Sequence, residues 1–336
     1  MKNKVRNIIV IIIISAIVVY LTLKDNFTEK IHYLFSINPV FLLISLLLVI
    51  IYWIVKGLAL YHCVKQVEKK YTKKSGIKLM ITTQLFHAIT PFASGGQPWQ
   101  IYRLKKEGIP LTKSTNIIIE DFITYQIALI LLGLIAVISN NIFGILPKDS
   151  ALKYLVTIGF AINTLVVLAL FTVSFNKKIN KVITKWTIKL LSKLKIVHDK
   201  EETLKKADEH IKNFHDSAKI LLKNKKALIR IILLNFSALT VLYLIPFTLM
   251  LGLNIYVNPF YVIVTSAYVM LIDSIIPTPG STGGLEYGFM SFFKNYVKDP
   301  KLSIIMIVWR IVTYYFGIFI GLISLNTYNK EEKKWE

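Results

Sequence analysis

Long stretches without a charged residue constrain the fold of this chain more than any other feature. NIIVIIIISAIVVYLTL occupies residues 7–23, and FLLISLLLVIIYWIV occupies residues 41–55. A helix of about 20 apolar residues crosses the hydrocarbon core of a bilayer. Over the whole chain, 54% of the residues are hydrophobic, against roughly 45–50% in soluble domains. The sequence therefore predicts an all-α, polytopic membrane protein.

Six stretches are long and apolar enough to be full membrane spans. They are 7–23, 39–61, 115–139, 152–174, 229–252 and 302–325. The alternative for the first is a secretory signal peptide, with the basic residues of 1–6 at its start. No small residues suited to cleavage follow it in VYLTLKDNF, so we predict a retained span.

The distribution of lysine and arginine predicts the orientation. With the N-terminus in the cytoplasm, 32 of the 41 basic residues fall on cytoplasmic segments and 7 on outer segments. Cytoplasmic loops carry an excess of Lys and Arg. Both termini are therefore predicted to be cytoplasmic. The formal net charge of +22 marks one side of a membrane, and we predict no nucleic-acid partner.

A motif occurs twice and breaks the apolar pattern each time. TPFASGG (90–96) and TPGSTGG (278–284) both read T-P-x-x-[ST]-G-G. Proline and paired glycines end helices. The preceding apolar stretches, 79–91 and 260–276, are too short to be full spans. We predict two re-entrant hairpins, 79–108 opening to the cytoplasm and 260–298 opening outward.

Two opposed hairpins, each followed by a full span, form an inverted-topology repeat. The chain then divides into a first membrane half (1–174), a basic segment (175–228), a second half (229–327) and a short tail (328–336). Broken helices at membrane depth must be buried in protein or line a wet cavity. The helix that resumes after each Gly-Gly pair is expected to point its N–H groups into that cavity, where they suit a phosphate. The alternative is that the glycines only allow close helix packing.

The segment 175–228 has 15 lysines and 6 acidic residues. Its part ITKWTIKLLSKLKIV (183–197) places most apolar residues on one helical face. We interpret it as an amphipathic helix on the anionic inner leaflet, which is compatible with a linker between the two halves. The three histidines His198, His210 and His215 form no ligand set, and we predict no metal and no cofactor.

Ionisable residues inside predicted spans are costly and are functional candidates. Glu120 and Asp121 lie in the span after the first hairpin, and Arg310 lies near the matching position after the second. An acid–base pair across the pseudo-axis is therefore plausible. These residues are either a structural ion pair or a polar track for a charged headgroup, in which Arg310 binds a phosphate. Lys56 is near a span end and is predicted to snorkel. His87, before the first motif, is either a cavity residue or a packing residue.

Soluble-enzyme motifs for nucleotide binding, zinc proteolysis or serine hydrolysis do not occur in the chain. The single cysteine, Cys63, cannot form an internal disulfide or a cysteine zinc cluster. We therefore predict no catalytic residues.

Three stretches carry a family likeness: TPFASGGQPWQIYRLKKEGIP (90–110), IIIEDFITYQIAL (117–129) and PTPGSTGGLEYGF (277–289). They resemble the lysylphosphatidylglycerol synthase transmembrane family, the flippase-like domain of multiple peptide resistance factors. The resemblance runs from about residue 5 to 327. It implies a membrane protein of a bacterial cell membrane, connected with antibiotic resistance, that moves a phospholipid such as aminoacylated phosphatidylglycerol between leaflets. Relatives carry a basic residue soon after the first glycine pair, where this chain has Gln97 and Gln100.

Three functions follow as alternatives: a lipid flippase, a phosphatidylglycerol lysyltransferase, and a scaffold without substrate. Full-length resistance factors add a soluble acyltransferase domain, for which the residues after the last span leave no room. We therefore expect the flippase, with membrane phospholipid and the anionic inner leaflet as partners and a homo-oligomer as a further possibility. The predicted substrate-binding residues are Ser94, Gly95, Gly96, Gln97, Arg103, Thr282, Gly283, Gly284, Glu286 and Arg310. The predicted ion- or proton-coupling residues are Glu120, Asp121 and Asp273.

Overall fold

The structure is a computed structural model that describes residues 27–145, 150–193, 224–273, 276 and 278–332. These residues form α-helices, one π-helical turn and connecting loops. In chain order the helices are α1 (Phe27–Ser36), α2 (Pro39–Lys65), α3 (Lys73–Ala88), α4 (Gly96–Lys106), α5 (Leu111–Phe143), α6 (Ser150–Phe175), α7 (Lys177–Lys193), α8 (Lys225–Tyr243), α9 (Ile245–Gly252), α10 (Pro259–Asp273), α11 (Gly284–Phe293), α12 (Lys301–Arg310), the π-turn Ile311–Tyr315 and α13 (Phe316–Glu332).

Five helical stretches are long and apolar enough to cross a membrane. They are Pro39–Lys65, Leu111–Phe143, Tyr154–Thr172, Lys225–Gly252 and Lys301–Tyr328. Each coincides with one predicted span, so the all-α polytopic class is confirmed. The remaining predicted span, 7–23, lies outside the described residues.

Local sequence accounts for the ends of these helices. The side chain of Asn38 accepts a hydrogen bond from the Val40 backbone N–H at 3.0 Å and caps α2. Thr72 caps α3 in the same way, through the Ser75 N–H at 3.1 Å. Asn and Thr at this position satisfy N–H groups that the first helical turn leaves without partners. Helix α5 ends at Gly144, whose φ of 61° favours glycine.

The two predicted hairpins are present. In the first, α3 and α4 are joined by the loop that contains TPFASGG; in the second, α10 and α11 are joined by the loop that contains TPGSTGG. Helix α3 begins at Lys73, six residues before the apolar stretch predicted from 79. The Thr72 cap explains this earlier start. The prediction followed the apolar residues, whereas a capping side chain begins the helix at Lys73 even though its first residues are lysines.

The hairpins open toward opposite ends of the helix bundle. At the open end of the first, Lys78 Nζ lies 4.0 Å and Arg103 Cζ 4.1 Å from the centre of the Tyr328 ring. At the open end of the second, the Tyr296 hydroxyl donates to the Ile145 carbonyl at 3.0 Å. Helix α5 starts just after the first hairpin and ends just before Ile145. The two open ends are therefore separated by the length of α5.

Each hairpin packs against a span from the other half of the chain. Helix α3 packs against α2 and α13, and α10 packs against α5 and α6. Each hairpin thus contacts the span that follows the other hairpin. A two-fold relation between two similar halves produces this exchange, as the predicted inverted repeat requires.

The basic segment begins with a helix, α7, over Lys177–Lys193. On it Trp186 is exposed and Ile188 is buried. Residues 194–223 lie outside the described residues, and so do the end of the predicted amphipathic stretch and His198, His210 and His215. Contact of this helix with the inner leaflet stays a prediction.

Candidate functional site

The two motif loops meet inside the molecule. Pro91 and Pro279 occupy the second position of each motif and form an antiparallel backbone bridge. They are 188 positions apart in sequence, the offset of the repeat itself. The tips of two hairpins that enter from opposite ends are therefore in direct contact.

Matching residues of the two loops share an unusual backbone conformation. Phe92 and Ala93 have φ angles of 53° and 50°, and the corresponding Gly280 and Ser281 have 59° and 50°. Residues other than glycine seldom adopt this left-handed region. Such strain is retained where the surrounding structure enforces it, often at functional sites. The two loops share this turn, although the matching glycines that follow it differ, with a φ of −79° at Gly95 and of 95° at Gly283.

The hydroxyl of each motif has a local role. Ser94 Oγ donates to the Pro91 carbonyl at 2.9 Å, and Thr282 Oγ1 donates to the Pro279 carbonyl at 2.9 Å. The backbone N–H groups of the same residues also point to these carbonyls. Both residues were predicted to bind substrate; the structure gives them turn-forming bonds, and their contact with a lipid stays a prediction.

The glycines at the loop ends are packed closely by their own hairpins. A Cβ on Gly96 would lie 2.3 Å from Cε1 of His87, and His87 Nδ1 is hydrogen-bonded to the Ala93 carbonyl. The Gly95 N–H donates to Thr90 Oγ1 at 2.8 Å. In the second hairpin, Gly284 lies against Ile276. Close packing within each hairpin thus requires these glycines, whatever else approaches them.

Arg310 is the charged centre of the second loop. Its Nε lies 2.8 Å from Glu286 Oε1, and both side chains are buried. A second guanidinium nitrogen donates to the Gly280 carbonyl at 2.9 Å and to Thr282 Oγ1 at 3.3 Å. Arg310 therefore holds the loop and the start of α11 together, since a guanidinium offers donors in several fixed directions.

The predicted pairing of Arg310 with Glu120 or Asp121 is wrong. Arg310 pairs with Glu286 in its own half, and Asp121 Oδ2 lies 3.8 Å from Lys56 Nζ. The prediction rested on matched positions in the repeat, but each half supplies its own counter-ion from a neighbouring element. Glu120 instead accepts a bond of 3.4 Å from the Gln66 amide.

Lys56 does not snorkel, so that prediction is wrong as well. The side chain is buried, with only 5% of the residue exposed. Its Nζ donates to Asn235 Oδ1 at 2.7 Å, and the Asn235 amide donates to Thr124 Oγ1 at 3.1 Å. A buried ammonium needs such partners to offset its desolvation. The Lys56 side chain thus joins α2, α5 and α8 through polar contacts.

The two helix starts after the glycine pairs differ. At α11, Glu286 Oε2 accepts the Gly283 backbone N–H at 2.7 Å, so a carboxylate of the chain already occupies the position predicted for a phosphate. Contact of this N-terminus with a phosphate stays a prediction. At α4 no side chain caps the first turn, and the side chain of Gln97 lines a cavity.

This cavity has a volume of about 400 Å³ and lies beside the first motif loop. Its walls come from α2, α3, α4, α5 and α6, with one residue of α8 and two of α10. The volume falls within the range of small-ligand sites, about 300–1,000 Å³. Its polar and aromatic lining comprises Tyr52, Lys56, Gln84, His87, Phe92, Gln97, Gln100, Asp121, Phe122, Tyr125, Gln126, Asn163 and Asp273.

Only part of the predicted set faces this cavity. Gln97, Asp121 and Asp273 line it. Arg103 is turned to the open end of its hairpin, where its Nε lies 3.0 Å from Glu107 Oε1. The remaining predicted residues belong to the loops, to the Arg310–Glu286 pair or, for Glu120, to the contact with Gln66. Sequence reasoning missed Lys56 as a cavity residue, together with the amides Gln84, Gln100, Gln126 and Asn163. These residues could have been found from the sequence, because they are polar side chains within apolar helices.

Known proteins resemble this chain over nearly its full length. The family described as "Lysylphosphatidylglycerol synthase TM region" matches residues 7–321. A protein of Archaeoglobus fulgidus named "UPF0104 membrane protein" is 23% identical over 314 residues, which cover 86% of this chain and 87% of the relative. The family match takes in both motif loops and every residue that lines the cavity.

Proposed function

This chain belongs to the lysylphosphatidylglycerol synthase transmembrane family, and on that premise we propose that it moves a phospholipid between the two leaflets of its membrane. The substrate is an anionic or aminoacylated lipid of the phosphatidylglycerol type. The headgroup occupies the cavity beside the first motif loop, while the acyl chains stay in the bilayer. The membrane is the cell membrane of a bacterium, both termini are cytoplasmic, and α7 rests on the anionic inner leaflet.

One observation carries this proposal: hairpins from opposite ends meet tip to tip, next to a polar cavity. Pro91 and Pro279 mark the meeting point, and the motif residues Phe92 and Ala93 form part of the cavity wall. A substrate that crosses the membrane has to pass between inward-facing and outward-facing parts of the protein. In inverted-repeat transporters the substrate sits at the interface of the repeats near the midplane. We infer that the contact between the loops takes the corresponding place here.

One cation in the cavity wall can bind a headgroup phosphate. Lys56 is the lysine of the lining, and its ammonium lies 4.5 Å from the centre of the Tyr125 ring and 3.8 Å from Asp121. A phosphate that displaces Asp121 from Lys56 gains a charge-assisted bond. The carboxylates of Asp121 and Asp273 then become available to an ammonium of the lipid or to a coupling proton. Glu120, beside Asp121, is a second candidate for proton coupling.

The direct test is lipid exchange in proteoliposomes with fluorescent phosphatidylglycerol, with and without a proton gradient. Removing the buried pair with Lys56→Met/Asp121→Asn leaves no unpaired charge, so folding is retained. Because the charge-assisted bond to phosphate is worth roughly 1.5–3 kcal/mol, we expect exchange to fall by about tenfold or more. Lys69→Met, on an exposed loop position, is the control and retains exchange.

Two outcomes would contradict the flippase. The first is absence of exchange of any lipid in liposomes that contain folded protein. The second is formation of lysyl-lipid when the protein is incubated with lysyl-tRNA and phosphatidylglycerol, which would identify the lysyltransferase instead. A gradient that changes the exchange rate supports coupling through Glu120, Asp121 or Asp273. An unchanged rate identifies facilitated exchange.

A further inference from the structure

A tyrosine joins the open end of each hairpin to a span of the other half. At the end predicted to be cytoplasmic, the centre of the Tyr328 ring on α13 lies 4.0 Å from Lys78 Nζ and 4.1 Å from Arg103 Cζ. At the opposite end, the Tyr296 hydroxyl donates to the Ile145 carbonyl at 3.0 Å. These contacts form an inner closure (Lys78, Arg103 and Tyr328) and an outer closure (Ile145 and Tyr296).

The two closures occupy matching places in the inverted repeat. The repeat offset of 188 residues pairs Tyr328 with Asn140, in the last turns of α5. It also pairs Tyr296 with Gly108, at the end of the first hairpin. Each closure therefore joins the open end of one hairpin to the far end of the span that follows the other hairpin. A relation set by the repeat places such a contact at both ends of the bundle.

Both closures act on walls of the cavity beside the first motif loop. The inner closure holds α3 and α4, which contribute Gln84 and Gln97 to the wall. The outer closure holds the second hairpin, whose helix α10 contributes Met270 and Asp273. A hairpin that moves away from the opposing span exposes its side of the cavity to the solution at its own open end. With both closures formed, both hairpins are held in place.

The inner closure is held more firmly than the outer one. Tyr328 is 3% exposed, and the centre of its ring lies 6.3 Å from that of the Trp99 ring. Cation–π contacts are stronger where they are withdrawn from water. The outer closure depends on a hydrogen bond between neutral groups, whose net contribution is small, and Tyr296 is only partly buried. Removal of the inner closure should therefore have the larger effect.

Buried donors beside Tyr328 indicate that the inner closure can open. The Tyr71 hydroxyl and the Trp99 indole N–H are buried without a hydrogen-bond partner in the described part of the chain. Burial, followed by the charge of Glu107 and by Tyr328, raises the pKa of Tyr71, so its hydroxyl stays protonated. Buried donors are nearly always paired, because leaving one unpaired is costly. Movement of Tyr328 away from them admits water, which offsets part of the cost of opening.

We propose that Tyr328 and Tyr296 gate the transport path, and that each closure, when it opens, gives the cavity access to the solution at its own end. This role rests on the proposed lipid transport and adds the positioning residues that control it. At Tyr328 the ring is the group required, because it contacts the two cations. At Tyr296 the hydroxyl is the group required, because it forms the bond to Ile145.

Access to the cavity from each side tests both closures. In a Cys63→Ala background, Gln97→Cys places a thiol in the cavity wall, and its labelling by an impermeant maleimide is timed in intact cells and in inside-out vesicles. We expect Tyr296→Phe to raise the rate about fivefold in intact cells only, since loss of a net hydrogen bond shifts an equilibrium by about that factor. Tyr328→Leu should raise it about tenfold in inside-out vesicles only, since both cation–π contacts are lost.

Further variants separate the ring from the hydroxyl. Tyr328→Phe keeps the ring and should label within about twofold of the native rate. Lys78→Met removes one cation of the inner closure and is a second variant in case Tyr328→Leu does not fold. Tyr102→Leu and Tyr287→Phe are matched controls at exposed tyrosines of the two hairpins, and they leave both rates unchanged.

Changes on one side only are specific to gating, because a general loss of stability raises labelling from both sides. Rates that neither tyrosine variant changes, or that rise on both sides, would overturn the closures. If the native protein then still exchanges fluorescent phosphatidylglycerol in proteoliposomes, the lipid transport stands without them. One-sided changes in a protein that exchanges no lipid would instead keep the closures as gates of the cavity and remove the flippase.

Discussion

At the scale of single residues, the motif T-P-x-x-[ST]-G-G is explained by bonds within the loop. The hydroxyls of Ser94 and Thr282 donate to the carbonyls of Pro91 and Pro279. Either serine or threonine serves this bond, whereas alanine would leave a carbonyl without it. The threonines at the first position act differently in the two loops: Thr90 accepts from the Gly95 N–H, and Thr278 donates to the Thr282 carbonyl. The shared motif thus produces similar turns, which are held by different hydrogen bonds of the first threonine.

Arg310 provides the residue-scale prediction. Arg310→Gln leaves the carboxylate of Glu286, 6% exposed, without its cation. Removing one partner of a buried pair costs about 3–5 kcal/mol, and we expect a correspondingly lower thermal unfolding temperature in detergent. Arg310→Gln/Glu286→Gln should recover much of the loss, because the glutamine oxygen can still accept the Gly283 N–H. If the single variant is as stable as the native protein, the pair does not hold the loop.

At the scale of elements, the π-helical turn Ile311–Tyr315 connects the two hairpins. It follows Arg310 directly and places the Tyr314 ring 4.5 Å from the guanidinium carbon. The Tyr314 hydroxyl donates to the Ala88 carbonyl, at the end of α3, at 3.1 Å. Its ring also packs against Gly280, where a Cβ would lie 2.1 Å from the ring. π-helical turns are rare and often occur at functional sites; here one side chain contacts both loop regions.

Tyr314→Phe tests this connection. The ring and its contact with Arg310 are kept, and the bond to Ala88 is lost, at a cost of about 1 kcal/mol. We expect faster hydrogen–deuterium exchange in residues 89–95, because the end of α3 loses an anchor. Tyr315→Phe is the matched control on the neighbouring residue. Equal exchange in both variants would show that Tyr314 does not restrain the first loop.

At the scale of the whole molecule, segments predicted to lie on one side of the membrane meet at one end of the bundle. The Asn38 N–H donates to the Gly252 carbonyl at 2.9 Å, and the Phe143 and Tyr261 rings are 6.4 Å apart. Tyr296 reaches Ile145 at this same end. At the other end Lys78, Arg103 and Tyr328 are clustered. Lys78 and Arg103 thus lie at the end that the positive-inside rule assigns to the cytoplasm.

Labelling from one side tests that orientation. In a Cys63→Ala background, Lys69→Cys and Tyr256→Cys each introduce one thiol at an exposed position. We expect an impermeant maleimide to modify the Tyr256→Cys protein in intact cells, and the Lys69→Cys protein only after permeabilisation. The cysteine-free protein is the control. The reverse result would invert the topology, and labelling of both in intact cells would contradict the opposed hairpins.

The sequence by itself determined the helical membrane class, the spans within the described residues, the two hairpins and their opposed directions. These follow from apolar length, from proline and glycine, and from the repeat, all of which act locally or through the bilayer. Only the tertiary structure decided which charges pair and which side chains share a cavity. Lys56 pairs with Asp121, and Arg310 with Glu286, because distant helices bring these groups within reach. The sequence places the same residues in separate segments, and the gathering of the glutamines around one cavity arises only when α3, α4 and α5 pack together.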